Sequence, residues 1–265
     1  MNIYIFEFKK NIKSILIWSI TLVFFAGITL LFYPSIQDDM ELFENILNKY
    51  PPALKAAMGF MVDSFTSLIG YYSFAFTYVV IFGTIQAANL GLSILSKEER
   101  DKTADFLLTK PTSRMRIITS KILSSLTSLI ITNIIYYICI YLITYFFITN
   151  DFSLLKYTLI NLSLFLLQLI FFSIGLIISL ILKKVKTVLP ISLGLVFMFY
   201  AISAFAVNSK EDKLRYITPF QYFKTDYIIA ENNFELKFLI LGFSVIIISL
   251  IASYVIYLKK DIHAV

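Results

Sequence analysis

Residues 68–95, LIGYYSFAFTYVVIFGTIQAANLGLSIL, pass without one charged side chain. At ~1.5 Å of rise per residue a helix of this length reaches ~42 Å, more than the ~30 Å hydrocarbon thickness of a bilayer. Lipid offers no partner to a backbone N–H or C=O, so a segment that crosses it must close its hydrogen bonds internally, as an α-helix. Five more apolar runs flank this one, at 14–33, 122–148, 154–182, 187–207 and 238–258, and none has a charge in its interior. The expected fold is therefore all-α and integral to the membrane: six transmembrane helices in a single domain spanning 1–265.

Composition points the same way. Apolar residues make up 58% of the chain and charged residues 15%, where a soluble domain carries ~25% charged. A net charge of +6 invites a nucleic-acid reading, but the placement of the cations argues for topology instead. When the segments between spans are sorted alternately, fifteen of the 23 Lys and Arg fall on one side and eight on the other, while the acids divide six to eleven the opposite way. The positive-inside rule then puts both termini and the 97–121 loop in the cytoplasm. The first span has a basic front but is too long for a signal-peptide core, so it is expected to be a retained anchor. Cys139 is the only cysteine and lies in an apolar run, which rules out an intrachain disulfide and disfavours metal binding.

The connecting segments have patterns of their own. Tyr4, Ile5, Phe8, Ile12 and Ile15 share one helical face, with Lys9 and Lys13 on the other. This predicts an amphipathic N-terminal helix at the inner interface, or else a continuation of the first span. Ile36, Met40, Phe43 and Leu47 predict a helix in the first outer segment, capped at Ser35 and broken at Pro51 and Pro52. The last outer segment, 208–237, carries Pro219 among aromatics and predicts a short helix at the outer interface.

No phosphate-cradling GxxxxGK[ST] motif occurs, and His263 is the only histidine, so neither a nucleotide site of that type nor histidine-based acid–base chemistry is available. No catalytic residue and no metal ligand is assigned. Gradient-driven carriers usually hold an ionisable group in the membrane. Here the span interiors offer only neutral polar residues, among them Gln86, Asn89, Asn133, Asn161 and Gln168. These either bond helix to helix or line a translocation path. Gly83, Ala87 and Gly91 recur every four residues, a spacing that lets two backbones approach closely, within the chain or between two copies.

The 96–121 loop, SKEERDKTADFLLTKPTSRMRIITSK, is the most informative polar segment. Ser96 and Glu99 fit a capping box, Thr103 suits an N-cap, Asp105 suits the positive end of a helix, and Pro111 halts it. Phe106, Leu107 and Leu108 then stand as exposed apolar side chains in a charged loop. They need either a groove in a partner or the membrane surface.

The run EERDKTADFLLTKPTSR at 98–114, placed between the second and third spans, resembles the permease subunits of ABC-2-type exporters, notably the bacterial sodium-export, antibiotic-export and lantibiotic-immunity permeases. KYPPAL at 49–54 and TPFQYF at 218–223 extend the resemblance over nearly the whole chain. Relatives often carry Gly where this chain has Lys102. The resemblance implies a multi-pass protein of the bacterial cell membrane, acting as a homodimer or with a related permease. It implies two copies of a separate ATPase subunit that binds ATP and Mg, leaving no cofactor in this chain and no nucleic-acid partner. The helix around 103–108 would be the coupling helix, with Glu98 and Glu99 near the same contact and Arg114 beginning the return. Two other classes stand beside this reading: a stand-alone secondary carrier, and a scaffold or sensor that binds an ATPase without transporting anything.

Overall fold

The computed structural model describes residues 3–39, 45–46, 49–51, 67–100, 112–148, 152–182, 185–209 and 212–259. They form α1 (Ile3–Leu31), α2 (Tyr33–Asp38), α3 (Leu68–Arg100), α4 (Arg114–Phe147), α5 (Leu154–Ile181) and α6 (Leu189–Ser209). α7 (Asp212–Arg215), a 3-10 turn (Pro219–Gln221), α8 (Thr225–Glu231) and α9 (Leu236–Lys259) follow, with no strand among the described residues. Six of these helices are long and apolar enough to cross a bilayer. The chain is an all-α integral membrane protein.

α3 and α5 form the centre. Of their apolar stretches 78% and 61% are buried in the protein, against 17–33% for the other four. α5 lies along α3 for most of its length, α1 packs on α4 and α3, and α9 closes over α5. Glycines set how closely the central pair approaches. A Cβ on Gly91 would stand 2.2 Å from the Phe172 carbonyl oxygen, and one on Gly175 would stand 2.8 Å from that of Ala88. Only hydrogen fits at either crossing point, so the two backbones are in direct contact.

Contacts between helix ends fix the alternation of the crossings. Arg114 donates to the Leu258 carbonyl at 3.4 Å, Thr119 and Tyr254 share a hydroxyl bond at 2.9 Å, and Lys97 meets Glu7. The start of α1, the end of α3, the start of α4 and the end of α9 thus share one end of the bundle, here called the basic end. At the opposite end Arg215 pairs with Glu235, and Tyr71 donates to the Thr29 carbonyl at 2.9 Å.

Several local expectations change. The N-terminal segment is not a separate helix: α1 runs unbroken from Ile3 through the first span, because residues 3–25 contain no Pro or Gly to interrupt it. Its expected apolar face also splits. Ile5 and Ile12 remain 46% and 42% exposed, Ile15 is buried, and Tyr4 reaches Thr127 on α4 at 3.0 Å. Ser35 does not cap a helix. α2 begins at Tyr33 with Pro34 in its first turn, where a missing N–H costs nothing, and Ser35 falls inside. Met40, Phe43, Leu47 and Pro52 lie outside the described residues. Ser96 is not a cap either. It sits within α3, buried, and returns its hydroxyl proton to the Leu92 carbonyl at 2.6 Å. The described residues 212–237 fold inward, burying Thr218, Gln221, Tyr222 and Phe223. α8 stops at Asn232, which takes the left-handed conformation (φ 54°) that an Asn tolerates.

Candidate functional site

The expected contact region lies at the basic end, where α3 leaves the bundle and α4 returns to it. α3 continues to Arg100, so Glu98 and Glu99 belong to its last turns. α4 starts at Arg114, with Ser113 as N-cap accepting the Arg116 N–H at 3.3 Å. Thr103, Asp105, Phe106, Leu107, Leu108 and Pro111 lie outside the described residues.

Both roots of this loop are locked into the bundle. On the α3 side the Lys97 ammonium meets the Glu7 carboxylate of α1 at 3.3 Å, and Glu7 is only 4% exposed. On the α4 side Lys121 is 1% exposed rather than a solvated loop cation. Its ammonium donates to the Ile94 carbonyl of α3 at 2.8 Å. Ile117 and Ile118 are fully buried beside it. The two roots of the loop are thus tied to α1, α3, α4 and α9 by polar contacts. Glu7, Lys97 and Lys121 were not among the site residues expected from the sequence. Glu7 did carry a signal: it is the only acid before Asp38 and sits beside Lys9, Lys10 and Lys13. An acid in that setting needs a partner.

Deeper in the bundle three of the expected amides come together across three helices. Gln168 on α5 donates to the Gly83 carbonyl at 3.2 Å and to Gln86 Oε1 at 3.4 Å, both on α3. Its own Oε1 accepts from Asn133 of α4, which also donates to the Leu129 carbonyl at 2.8 Å. Gln86 donates onward to Thr132 at 3.0 Å. Gln86 and Gln168 are buried, so water does not complete this set; the protein does. Gly83 belongs to it for a steric reason, since a Cβ there would stand 3.1 Å from Gln168 Nε2 and 2.7 Å from Leu164. Ala87 is buried in the same seam and Gly91 lies one turn further along, so α5 of the same chain occupies this small-residue face.

Asn89 is half-buried and Asn161 belongs to a different group. Toward the opposite end Tyr72 donates to Asn161 Oδ1 and shares a hydroxyl bond with Tyr136, each at 3.0 Å, while Asn161 donates to the Tyr157 carbonyl at 2.7 Å. Tyr72, Tyr136 and Tyr157 had no signal in the sequence that set them apart from interfacial aromatics.

Residues 1–262 match a family model described as ABC-2 family transporter protein. No curated protein matches the chain.

Proposed function

This chain belongs to the ABC-2 family of transporter proteins, and from that premise we propose that it is the membrane-spanning permease subunit of an ATP-driven exporter. A separate ATPase subunit supplies the energy, in two copies beneath a pair of permeases. The termini and the 101–111 loop face the cytoplasm, as the distribution of Lys and Arg favours. Residues 103–108 form the coupling helix, with Phe106, Leu107 and Leu108 seated in a groove of the ATPase. Closure of the ATPase pair on ATP pushes this helix, and the Glu7–Lys97 and Lys121–Ile94 contacts pass the push into the bundle.

The observation that carries this reading is that the apolar cores of the six crossing segments hold no Asp, Glu, Lys, Arg or His, while Glu7, Lys97 and Lys121 sit at the basic end. Carriers driven by proton or sodium gradients usually hold an ionisable group in the membrane to couple transport. The central amides are neutral and bonded to one another across α3, α4 and α5. Energy is then expected to enter from outside the membrane, and the apolar triplet 106–108 within a charged segment is the place suited to receive it.

The test is reconstitution with the ATPase that co-purifies with the chain. Phe106→Asp and Leu107→Asp each place a charge in an apolar groove and are expected to abolish both assembly and permease-stimulated ATP hydrolysis. Unchanged assembly and stimulation would remove the docking role, and gradient-driven flux by the isolated chain in liposomes would establish a secondary carrier instead.

A further inference from the structure

A cavity of about 190 Å³ opens toward the end of the bundle opposite the basic end, between α3, α5, α6 and the 218–226 segment. It exceeds the ~150 Å³ that holds one benzene ring and falls short of the ~300–1,000 Å³ of sites that engulf a drug-sized molecule. It therefore suits one end of an amphipathic molecule, not the whole of it.

Three hydroxyls of the lining have their protons committed to backbone carbonyls. Ser73 gives its hydroxyl proton to the Ile69 carbonyl at 3.1 Å, Thr77 to that of Ser73 at 3.3 Å, and Ser163 to that of Ile160 at 2.6 Å. Each hydroxyl has one proton to give, so these three oxygens can only accept. Gln221 is 7% exposed and donates to Ser203 at 2.7 Å, yet its buried Oε1 has no hydrogen-bond partner among the described residues. An unpaired buried acceptor of this kind costs ~1–3 kcal/mol and calls for a donor. Asp226 and Lys224, of opposite charge, also line the cavity. Partial burial raises the Asp226 carboxyl above the ordinary carboxylate range, and Lys224 pulls it back down. Phe220 and Tyr200, edge to face at 5.7 Å, supply aromatic wall.

We propose that this cavity binds an ammonium group carried on an apolar body, with Gln221 Oε1 and two of the Ser73, Thr77 and Ser163 hydroxyl oxygens accepting its three N–H bonds and Asp226 offsetting its charge. Aromatic rings in the wall, Phe220 and Tyr200, suit a cation as well. Two sources have this chemistry: an aminolipid of the bilayer and an amphipathic amine in transit. The inference rests on the transport reading only for the purpose of the site, and binding itself needs neither ATP nor a partner.

The test uses the full chain, without an ATPase, in phosphatidylcholine nanodiscs, with octylamine, octanol and octyl sulfate as probes read by thermal unfolding. Octylamine is expected to stabilise the protein more than the other two. Gln221→Leu is expected to weaken the octylamine response about tenfold, the size set by one hydrogen bond to a charged group. Ser163→Ala leaves the Gln221–Ser203 bond in place and is expected to weaken the response in the same direction, which keeps the test decisive if Gln221→Leu does not fold. Equal stabilisation by octylamine and octanol, or an unchanged octylamine response in both variants, overturns the proposal. With phosphatidylethanolamine in the disc, suppression of the octylamine response assigns the site to an aminolipid, and a full response assigns it to a transported amine. Failure here leaves the ATPase-coupling result untouched, and failure of coupling leaves amine binding untouched.

Discussion

Glu7 and Lys97 lie ninety residues apart in the chain and 3.3 Å apart in the fold. Both are largely withdrawn from water, so each charge is tolerated because the other is present. Glu7→Gln preserves the shape and removes the negative charge. It is expected to cost roughly 1–3 kcal/mol, the range for leaving a buried polar group without its partner, because Gln keeps an oxygen that the ammonium can still meet. Adding Lys97→Gln is expected to restore part of that loss, and a double-mutant cycle by thermal unfolding measures the difference. Strict additivity of the two substitutions would show that the pair contributes no coupling between α1 and α3. The pair also stands at the root of the proposed coupling loop, so Glu7→Gln tests whether a push on α3 needs α1 as its brace.

At the scale of helices, the α3–α5 contact decides how the bundle is assembled. Membrane helices gain little from hydrophobic burial against one another, because lipid is as apolar as Leu; close packing and interhelical hydrogen bonds do more. Gly91 and Gly175 provide the close packing, and Gln86, Gln168 and Asn133 provide the bonds. Gly91→Ala puts a Cβ 2.2 Å from backbone oxygen, where no side chain can give way. The helices must separate, at an expected cost of ~1–3 kcal/mol. Gly194→Ala on α6 meets nothing within 4 Å and is expected to be neutral or stabilising by up to ~1 kcal/mol through helix propensity. Thermal unfolding of the two variants in detergent checks the contrast. Equal effects would mean that the α3–α5 approach is not the organising contact.

At the scale of the whole molecule, orientation governs everything proposed about coupling. Fifteen of 23 basic residues lie on the side that holds both termini, so in a Cys139→Ser background Thr103→Cys is expected to react with an impermeant maleimide only in inside-out vesicles. Tyr50→Cys is expected to react only from the outside of intact cells. The reverse pattern would place the 101–111 loop beyond the reach of any cytoplasmic ATPase. It would also turn the Gln221 cavity from the outer leaflet to the inner one.

The number of crossings, their helical form and the family were legible in the residue order alone. Charge-free length and the absence of backbone partners in lipid are local properties, readable segment by segment, and the 98–114 motif is contiguous. The faces were not legible. Each crossing helix is apolar all round, so no period in the sequence distinguishes the side that meets protein from the side that meets lipid. That is why Ser96 read as a cap and Lys121 as a loop cation, and why Gln221 gave no hint of a cavity. The pairing of Glu7 with Lys97, the bonding of Gln86, Asn133 and Gln168, and the gathering of Ser73, Ser163 and Gln221 around one space depend on how the helices are rotated about their axes. Only tertiary packing sets that rotation, through the few places where small residues let two backbones touch.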